Sequence, residues 1–184
     1  AKPGAWVIGR GWHQAKWDGR PSPNIDGIPI HHRLSEISPR NPVLLIHASG
    51  HAVFVNALAL EQSAIFANTP NPAGGEIVRD SEGNPTGMLR ESAQDAARAA
   101  LALNLSKRPA NVIDSGRRQQ VRLAAEGAIA NGITSFHDMG ETFETIDLYR
   151  KMADEGNLPL RLYVCVQEPS EVMAGKLADY RIIG

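Results

Sequence analysis

The chain has 184 residues, of which 42% are hydrophobic and 21% are charged, an ordinary composition for one globular domain or two small ones. Its formal net charge of −1 offers no basic surface for nucleic acid, and its apolar runs are far shorter than the roughly 18 residues that a membrane span requires. Composition therefore predicts no nucleic-acid partner and no membrane partner.

Residues 1–92 are predicted to be rich in strands and loops. The sequence favours a strand at Trp6–Gly9, a short helix or turn at Ile30–Ile37, and a strand buried on both faces at Val43–His47. From His51 to Ile65 the apolar residues recur at helical spacing, which predicts a helix.

The segment Gly74–Ser92 predicts a hairpin followed by a helix. Two short extended runs, Glu76–Asp80 and Thr86–Arg90, are joined by Ser-Glu-Gly-Asn-Pro, a sequence of turn-forming residues. Glu91 ends the second run, directly before a helix-forming sequence. Its carboxylate could face a cleft or could complement the dipole of the helix, and the sequence alone favours the second role.

Residues 93–184 are predicted to alternate between helices and strands. The predicted helices are 111–130, with Gly132 in a left-handed cap, 143–155 and 170–180, and the predicted strands are 133–136 and 160–166. Strands separated by helices of this length imply parallel pairing and an α/β fold. Two strands do not distinguish a doubly wound sheet from a (β/α) barrel. The only cysteine, Cys165, excludes an internal disulfide framework and is predicted to be a buried core thiol.

His137 and Asp138 directly follow the predicted strand 133–136. Because the carboxyl ends of barrel strands face the active site, these side chains are candidates for orienting a substrate or supporting a metal-bound water. The alternative is that Asp138 caps the following loop or helix, while His137 satisfies buried backbone groups.

Other polar and aromatic candidates lie in the first half. His51 is predicted at the start of a helix, where backbone N–H groups attract polar substrate atoms, or where it simply closes the helix entry. Trp12 and Trp17 flank a polar loop and offer apolar surface to a substrate, although packing in the core or in a lid explains them slightly better. The remaining histidines show no metal-ligand spacing: His13, His31, His32 and His47.

Four motifs in a fixed order carry a family resemblance: Gly9–Trp12, Pro42–Asn56, Gly74–Ser92 and Gly132–Asp138. Together they resemble the amidohydrolase-3 family of metal-dependent hydrolases over nearly the whole chain. The resemblance implies part of a (β/α)8 TIM barrel, with 133–136 and 160–166 as about its second and third strands. It also implies that residues 1–92 are an inserted strand-rich segment and that residues 93–184 are βα units of an incomplete barrel.

The resemblance also implies roles for individual residues. Glu91, His137 and Asp138 are the implied catalytic residues, and Trp12, His51 and Asn56 the implied substrate contacts, with Asn56 helping to hold the segment of His51. The parent enzyme would hydrolyse an amide or related C–N bond of a small molecule, using water activated by a divalent metal, zinc being the expected ion.

The family's His-x-His pair is absent from the chain, and its later metal ligands would lie beyond Gly184. The chain is therefore expected to be an internal fragment that binds no cofactor and is inactive alone. The alternative is a non-catalytic binding or interaction domain that folds by itself. An incomplete barrel exposes sheet edges, which predicts a homo-oligomer. The single cysteine and the lack of an apolar leader favour the cytoplasm.

Overall fold

The computed structural model describes residues 1–180, which divide into two compact units, one spanning Ala1–Lys107 and the other beginning at Arg108. The first unit includes the helix that follows Glu91, because that helix packs against the preceding strand. The boundary at residue 92, between an inserted segment and the βα units of the parent's barrel, stays a prediction.

The first unit contains β1 (Val7–Trp12), a 3₁₀ helix (Gln14–Lys16), β2 (Asn24–Ile25), β3 (Ile28–Pro29), α1 (His32–Ile37), β4 (Val43–His47), β5 (Ala52–Val55), α2 (Ala57–Gln62), β6 (Gly75–Arg79), β7 (Pro85–Glu91) and α3 (Gln94–Ser106). Five strands form one mixed sheet in the order β1-β4-β5-β7-β6, in which only the β1–β4 pair is parallel. The short strands β2 and β3 form a separate hairpin.

Both faces of this sheet are covered by apolar side chains. Val53 and Val55 lie in one buried cluster together with residues of α2 and α3, whereas Ala52 and Phe54 lie in a second cluster that includes Ile28. Because successive side chains of a strand point to opposite faces, β5 contributes to both clusters and is buried throughout.

The predicted helix from His51 to Ile65 is wrong in its first part. Ala52–Val55 forms β5, antiparallel to β4, and α2 begins only at Ala57. A short apolar run that is buried on both faces has no periodicity to separate strand from helix. His51 therefore precedes a strand, and no helix begins there.

The predicted hairpin of β6 and β7 is confirmed, with Glu76 opposite Arg90. Asp80 fixes its turn, because Oδ1 accepts hydrogen bonds from the backbone N–H groups of Asn84, at 2.8 Å, and Glu82, at 2.9 Å. The hydrogen bond from Asn84 is the main reason that the pKa of Asp80 lies below its usual value.

The second unit contains α4 (Ala110–Ala130), β8 (Ser135–Glu141), α5 (Phe143–Asp154), β9 (Arg161–Val166) and α6 (Ser170–Tyr180). The alternation of helices and strands is confirmed, β8 and β9 pair in parallel, and Gly132 follows α4 with a φ of 76°. The fold class is thus mixed α/β, and the partial (β/α)8 barrel stays a prediction. Cys165 is partly rather than fully buried.

None of the helices within residues 1–180 has both the length and the apolar character needed to cross a membrane.

Candidate functional site

His51 and Glu91 come together at neighbouring strand ends. In the antiparallel β5–β7 pair Ala52 lies opposite Arg90, so the residue before β5 is beside the last residue of β7. The backbone N–H of Glu91 donates to the carbonyl of His51 at 2.8 Å, and the side chains meet with Nδ1 of His51 3.1 Å from Oε2 of Glu91. The pair lies at the surface, with 72% of the His51 side chain and 57% of the Glu91 side chain exposed.

Glu91 has an unusual backbone conformation. Its φ of 48° is left-handed, a region that costs a residue with a side chain about 1–2 kcal/mol. Outliers of this kind persist where the surroundings enforce them and are frequent at functional sites. On the opposite strand, a side chain at Gly75 would collide with the backbone nitrogen of Ala93, so the chain is closely packed where it leaves β7.

The helix-dipole role that the sequence favoured for Glu91 is wrong. Helix α3 begins at Gln94 with Ala93 as its N-cap, and the acidic residue in its first turn is Asp95. Glu91 therefore lies before the helix, at the end of the strand, where its carboxylate is free to face solvent or a ligand.

His51 and Glu91 line an open cleft of about 410 Å³, a size that suits a small molecule. Arg90, Asp26 and His47 also line the cleft. Burial lowers the pKa of His47, and the neighbouring His13 lowers it further, so the His47 ring is held neutral at physiological pH.

Arg90 is the cationic group of this cleft. Its guanidinium donates to Oε2 of Glu76 at 2.7 Å and to Oδ2 of Asp26 at 3.0 Å. Burial lowers the pKa of Arg90, but the two hydrogen bonds outweigh this effect and raise the pKa overall. The charge of Arg90 is therefore permanent.

Trp12 packs behind the cleft. Its Nε1 donates to the carbonyl of Leu45 at 3.0 Å, and its ring stacks on Trp17 with centroids 5.8 Å apart. The edge of the ring also meets His47, at 4.7 Å between centroids. Trp12 thus supports a residue of the cleft, and direct contact with a substrate stays a prediction.

Asn56 is fully buried and caps α2. Its Oδ1 accepts from the N–H groups of Val43 and Ala59, and its Nδ2 donates to the carbonyls of Ser38 and Asn41. These bonds use both amide hydrogens and both lone pairs of the oxygen. Asn56 therefore holds β4 to α2, and the prediction that it binds substrate directly is not supported.

His137 and Asp138 lie inside β8, which corrects the prediction that the strand ends at Phe136. The two side chains point to opposite faces of the strand. Asp138 accepts from the hydroxyl of Tyr149 at 3.2 Å, whereas His137 packs against the ring of Tyr163 on β9, with centroids 5.3 Å apart. Within this unit the two side chains therefore face different surroundings.

The environment of Asp138 is mainly apolar. Together with Tyr149 it lines a cavity of about 120 Å³ whose other walls are aliphatic and aromatic side chains. Burial raises the pKa of Tyr149, and the charges of Glu141 and Asp138 raise it further, so the tyrosine remains a hydrogen-bond donor. Tyr149 is a structural partner of Asp138 in this unit, and the catalytic roles of Asp138 and His137 stay predictions.

Sequence reasoning named both His51 and Glu91 but did not predict that they pair, and it missed Arg90 and Asp26. Arg90 could have been found from the sequence, because it lies within the predicted hairpin. The turn of that hairpin implies a strand register in which Arg90 faces Glu76. No signal linked Asp26 to this strand, because the two residues are 64 positions apart.

Comparison with known proteins identifies the class of this chain. Residues 1–181 match the model of the Amidohydrolase family, so the chain belongs to that family, and the resemblance inferred from the four motifs is confirmed.

Three relatives illustrate the range of the similarity. The chain is 35% identical over 161 residues to N-substituted formamide deformylase of Arthrobacter pascens, a match that covers 87% of this chain and 28% of that protein. It is 31% identical over 166 residues to the putative amidohydrolase YtcJ of Bacillus subtilis (strain 168), covering 88% and 29%. It is 33% identical over 143 residues to the protein LONG AFTER FAR-RED 3 of Arabidopsis thaliana, covering 78% and 22%. The chain thus spans less than a third of each relative.

Among solved structures, the chain is similar to an uncharacterized metal-dependent hydrolase from Pyrococcus horikoshii OT3, with a TM-score of 0.54 and 20% identity. The match covers 94% of this chain and 30% of that one. At this identity the likeness concerns the fold alone.

Proposed function

We propose that this chain is part of a metal-dependent hydrolase that cleaves an amide or related C–N bond of a small molecule, and that the His51–Glu91 cleft belongs to its active site. The observation that carries the proposal is the 3.1 Å contact between His51 and Glu91 in a cleft of suitable size, within a chain of the Amidohydrolase family. The relatives named for amide and formamide hydrolysis support the choice of bond.

The pair can handle a proton. When Nδ1–H of His51 donates to Glu91, the neutral ring carries its lone pair on Nε2, for which residues 1–180 provide no hydrogen-bond partner. Nε2 can then accept a proton from water or hold a polar group of the substrate. Glu91 orients the ring and stabilises the imidazolium that forms when Nε2 is protonated.

A divalent metal, zinc in our proposal, would polarise the scissile carbonyl and activate water when bound. Within the described residues, no three side chains of His, Cys, Asp or Glu converge so that they could hold an ion. The described residues therefore do not make a complete metal site. We propose that its ligands belong to other parts of a (β/α)8 barrel to which β8 and β9 contribute.

The proposal is tested in the full-length enzyme by Glu91→Gln, with Asp95→Asn as the matched control. Both changes remove one exposed carboxylate, but only Glu91 contacts His51. We expect turnover of amide or formamide substrates to fall about 10-fold or more for Glu91→Gln, with unchanged thermal unfolding. Equal turnover in both variants would remove Glu91 from the site. Substrate binding without any turnover in the wild-type protein would favour the non-catalytic binding domain.

A further inference from the structure

The turn between β4 and β5 determines how His51 enters the cleft. The N–H of Gly50 donates to the carbonyl of His47 at 2.9 Å, and Gly50 is left-handed with a φ of 79°. His51 follows directly, and its backbone N–H donates to Oγ of Ser49 at 3.2 Å. Because the carbonyl of His51 accepts from Glu91, its backbone is fixed by Ser49 before the side chain and by Glu91 after it. The direction of the His51 side chain therefore depends on Ser49.

The hydroxyl of Ser49 is in turn fixed by the ring of His47. Nδ1 of His47 lies 2.8 Å from Oγ of Ser49 and accepts from the backbone N–H of Ser49 at 3.2 Å. A backbone N–H can only donate, so Nδ1 carries a lone pair and the hydroxyl hydrogen of Ser49 can also point to it. The lone pairs of the Ser49 oxygen then remain to accept from the N–H of His51. One hydroxyl thus connects the His47 ring to the His51 backbone.

The ring of His47 has two further contacts that fix its position. With Nδ1 unprotonated, Nε2 carries the ring hydrogen and donates to Oε1 of Gln14 at 3.0 Å, on the 3₁₀ helix after β1. Trp12 lies opposite His47 in the parallel β1–β4 pair, and its ring meets the His47 ring edge-on. By contrast, the side chain of His51 is 72% exposed, and within residues 1–180 its one hydrogen-bond partner is Glu91. His47 is therefore the fixed ring and His51 the one that needs positioning.

We propose that His47 is a positioning residue of the cleft, which acts through the Ser49 hydroxyl to direct His51 toward Glu91. Gln14, His47, Ser49 and His51 all line the cleft, so this chain of hydrogen bonds runs along its wall. His47 and His51 then have opposite ring tautomers, since each ring places its hydrogen where its partner accepts. The inference concerns the contact between His51 and Glu91 and rests on the proposed function only for the effect of that contact on turnover.

The test is NMR of the full-length protein labelled with ¹⁵N in its histidine rings, with signals assigned by substitution. At about pH 8 unperturbed histidines are neutral, and two-bond correlations distinguish protonated from unprotonated ring nitrogens. In the wild-type protein we expect the hydrogen of His47 on Nε2 and that of His51 on Nδ1. The reverse assignment at either ring would overturn the proposal.

Three variants test the role of the hydroxyl. Ser49→Ala removes it, and His47→Phe removes both ring nitrogens but keeps an aromatic ring beside Trp12. Both changes should shift the His51 ring from the Nδ1–H form toward a mixture of tautomers, and Ser49→Thr should restore the wild-type signals because threonine keeps the hydroxyl.

Ser106→Ala is the matched control, since the exposed Ser106 hydroxyl donates to the carbonyl of Leu103, outside the cleft, and its loss should leave His51 unchanged. An unchanged His51 ring in Ser49→Ala, or a change that Ser49→Thr does not reverse, would overturn the proposal. Ser49 is exposed, so this result does not depend on whether His47→Phe folds.

Turnover provides a second measurement. Ser49→Ala should lower kcat several-fold with little change in KM, and it should add no further loss when His51 is already replaced by asparagine. Equal losses in the wild-type and His51→Asn backgrounds would contradict positioning through His51. The NMR result does not require turnover, so it stands if Glu91→Gln leaves turnover unchanged and the hydrolase proposal fails. An unchanged NMR result with reduced turnover in Glu91→Gln would remove only the positioning role.

Discussion

Nδ1 of His51 and Oε2 of Glu91 lie 3.1 Å apart although 40 positions separate the two residues in the chain. The register of β5 against β7 creates this contact, because it aligns the residue before one strand with the last residue of the other. His51 provides a nitrogen that can accept a proton, and Glu91 can orient the ring and stabilise its protonated form. Removing either side chain should therefore reduce turnover.

His51→Asn is expected to reduce turnover of the full-length enzyme about 10-fold or more without lowering its melting temperature. The asparagine amide can replace Nδ1 as the donor to Glu91, but it has no group in the position of Nε2. Combining His51→Asn with Glu91→Gln should add little further loss, because the two residues act as one unit. Steady-state kinetics on the three variants test this, and fully additive losses would show that the residues act separately.

Glu91→Gly is expected to raise the free energy of unfolding by roughly 0.5–1 kcal/mol while it abolishes the contribution of Glu91 to turnover. The gain comes from relief of the left-handed φ of 48°, and the exposed contact with His51 that is lost contributes little. Ala64→Gly is the control, since Ala64 follows α2 with a φ of 54° and lies outside the cleft. Urea unfolding measures both, and a less stable Glu91→Gly would mean that Glu91 is not strained.

Asn56→Ala is expected to destabilise the protein by about 2–4 kcal/mol, because it leaves buried N–H and C=O groups of β4, α2 and the preceding loop without partners. Asn84→Ala should change stability by less than about 0.5 kcal/mol, since the Asn84 side chain makes only contacts of 3.4 Å at the surface. Any activity lost in Asn56→Ala should follow the loss of folded protein. Reduced turnover at full stability would restore a direct role for Asn56.

Stability is expected to fall as the pH drops below about 6.5, and His31 is expected to cause part of this fall. Burial lowers the pKa of His31, as does the neighbouring His32. Between the lowered pKa and 6.5 the unfolded chain binds more protons than the folded one, so the free energy of unfolding rises with pH and levels off above that window.

His31→Asn tests this assignment, since its amide can still reach Ser35, to which Nδ1 of His31 is bonded at 2.9 Å. Unfolding curves between pH 5 and pH 8 should show a shallower slope for the variant than for the wild type. Some slope remains because the pKa of His47 is also lowered. Identical slopes would show that His31 does not contribute.

The purified 184-residue chain is expected to self-associate at micromolar concentration. Within the described residues the sheet of the second unit has only two strands, so each strand has an unpaired edge, and Met139 and Tyr163 are 75% and 64% exposed. Met139→Lys should weaken the association without lowering the melting temperature, because a lysine on an exposed sheet face opposes pairing. Sedimentation velocity decides this, and a wild-type monomer would contradict the prediction.

The hairpin of β6 and β7 and the helices of the second unit could be predicted from local signals, namely turn residues, apolar spacing and the glycine cap after α4. The pairing of His51 with Glu91 could not, because it depends on β5. That segment is apolar on both faces, and its strand conformation is decided by the two clusters that cover it rather than by its own sequence.

The ends of β8 were predicted less well for a different reason. His137, Asp138 and Gly140 are polar or small, and the burial pattern of this strand shows no residue that is fully buried. Residues 137–141 lack the hydrophobic alternation that marks a strand in sequence, so the extent of β8 is visible only from its parallel pairing with β9.

The opposite orientations of His137 and Asp138 restrict how this chain is aligned with its relatives. If a relative were aligned to this chain with a one-residue gap between Ser135 and Asp138, residues that contact the helices in one protein would be matched with residues that face away from the helices in the other. The ladder with β9 is regular through Asp138 and becomes irregular only between Asp138 and Glu141. Length differences among family members in this strand should therefore occur after Asp138, where a bulge can absorb them.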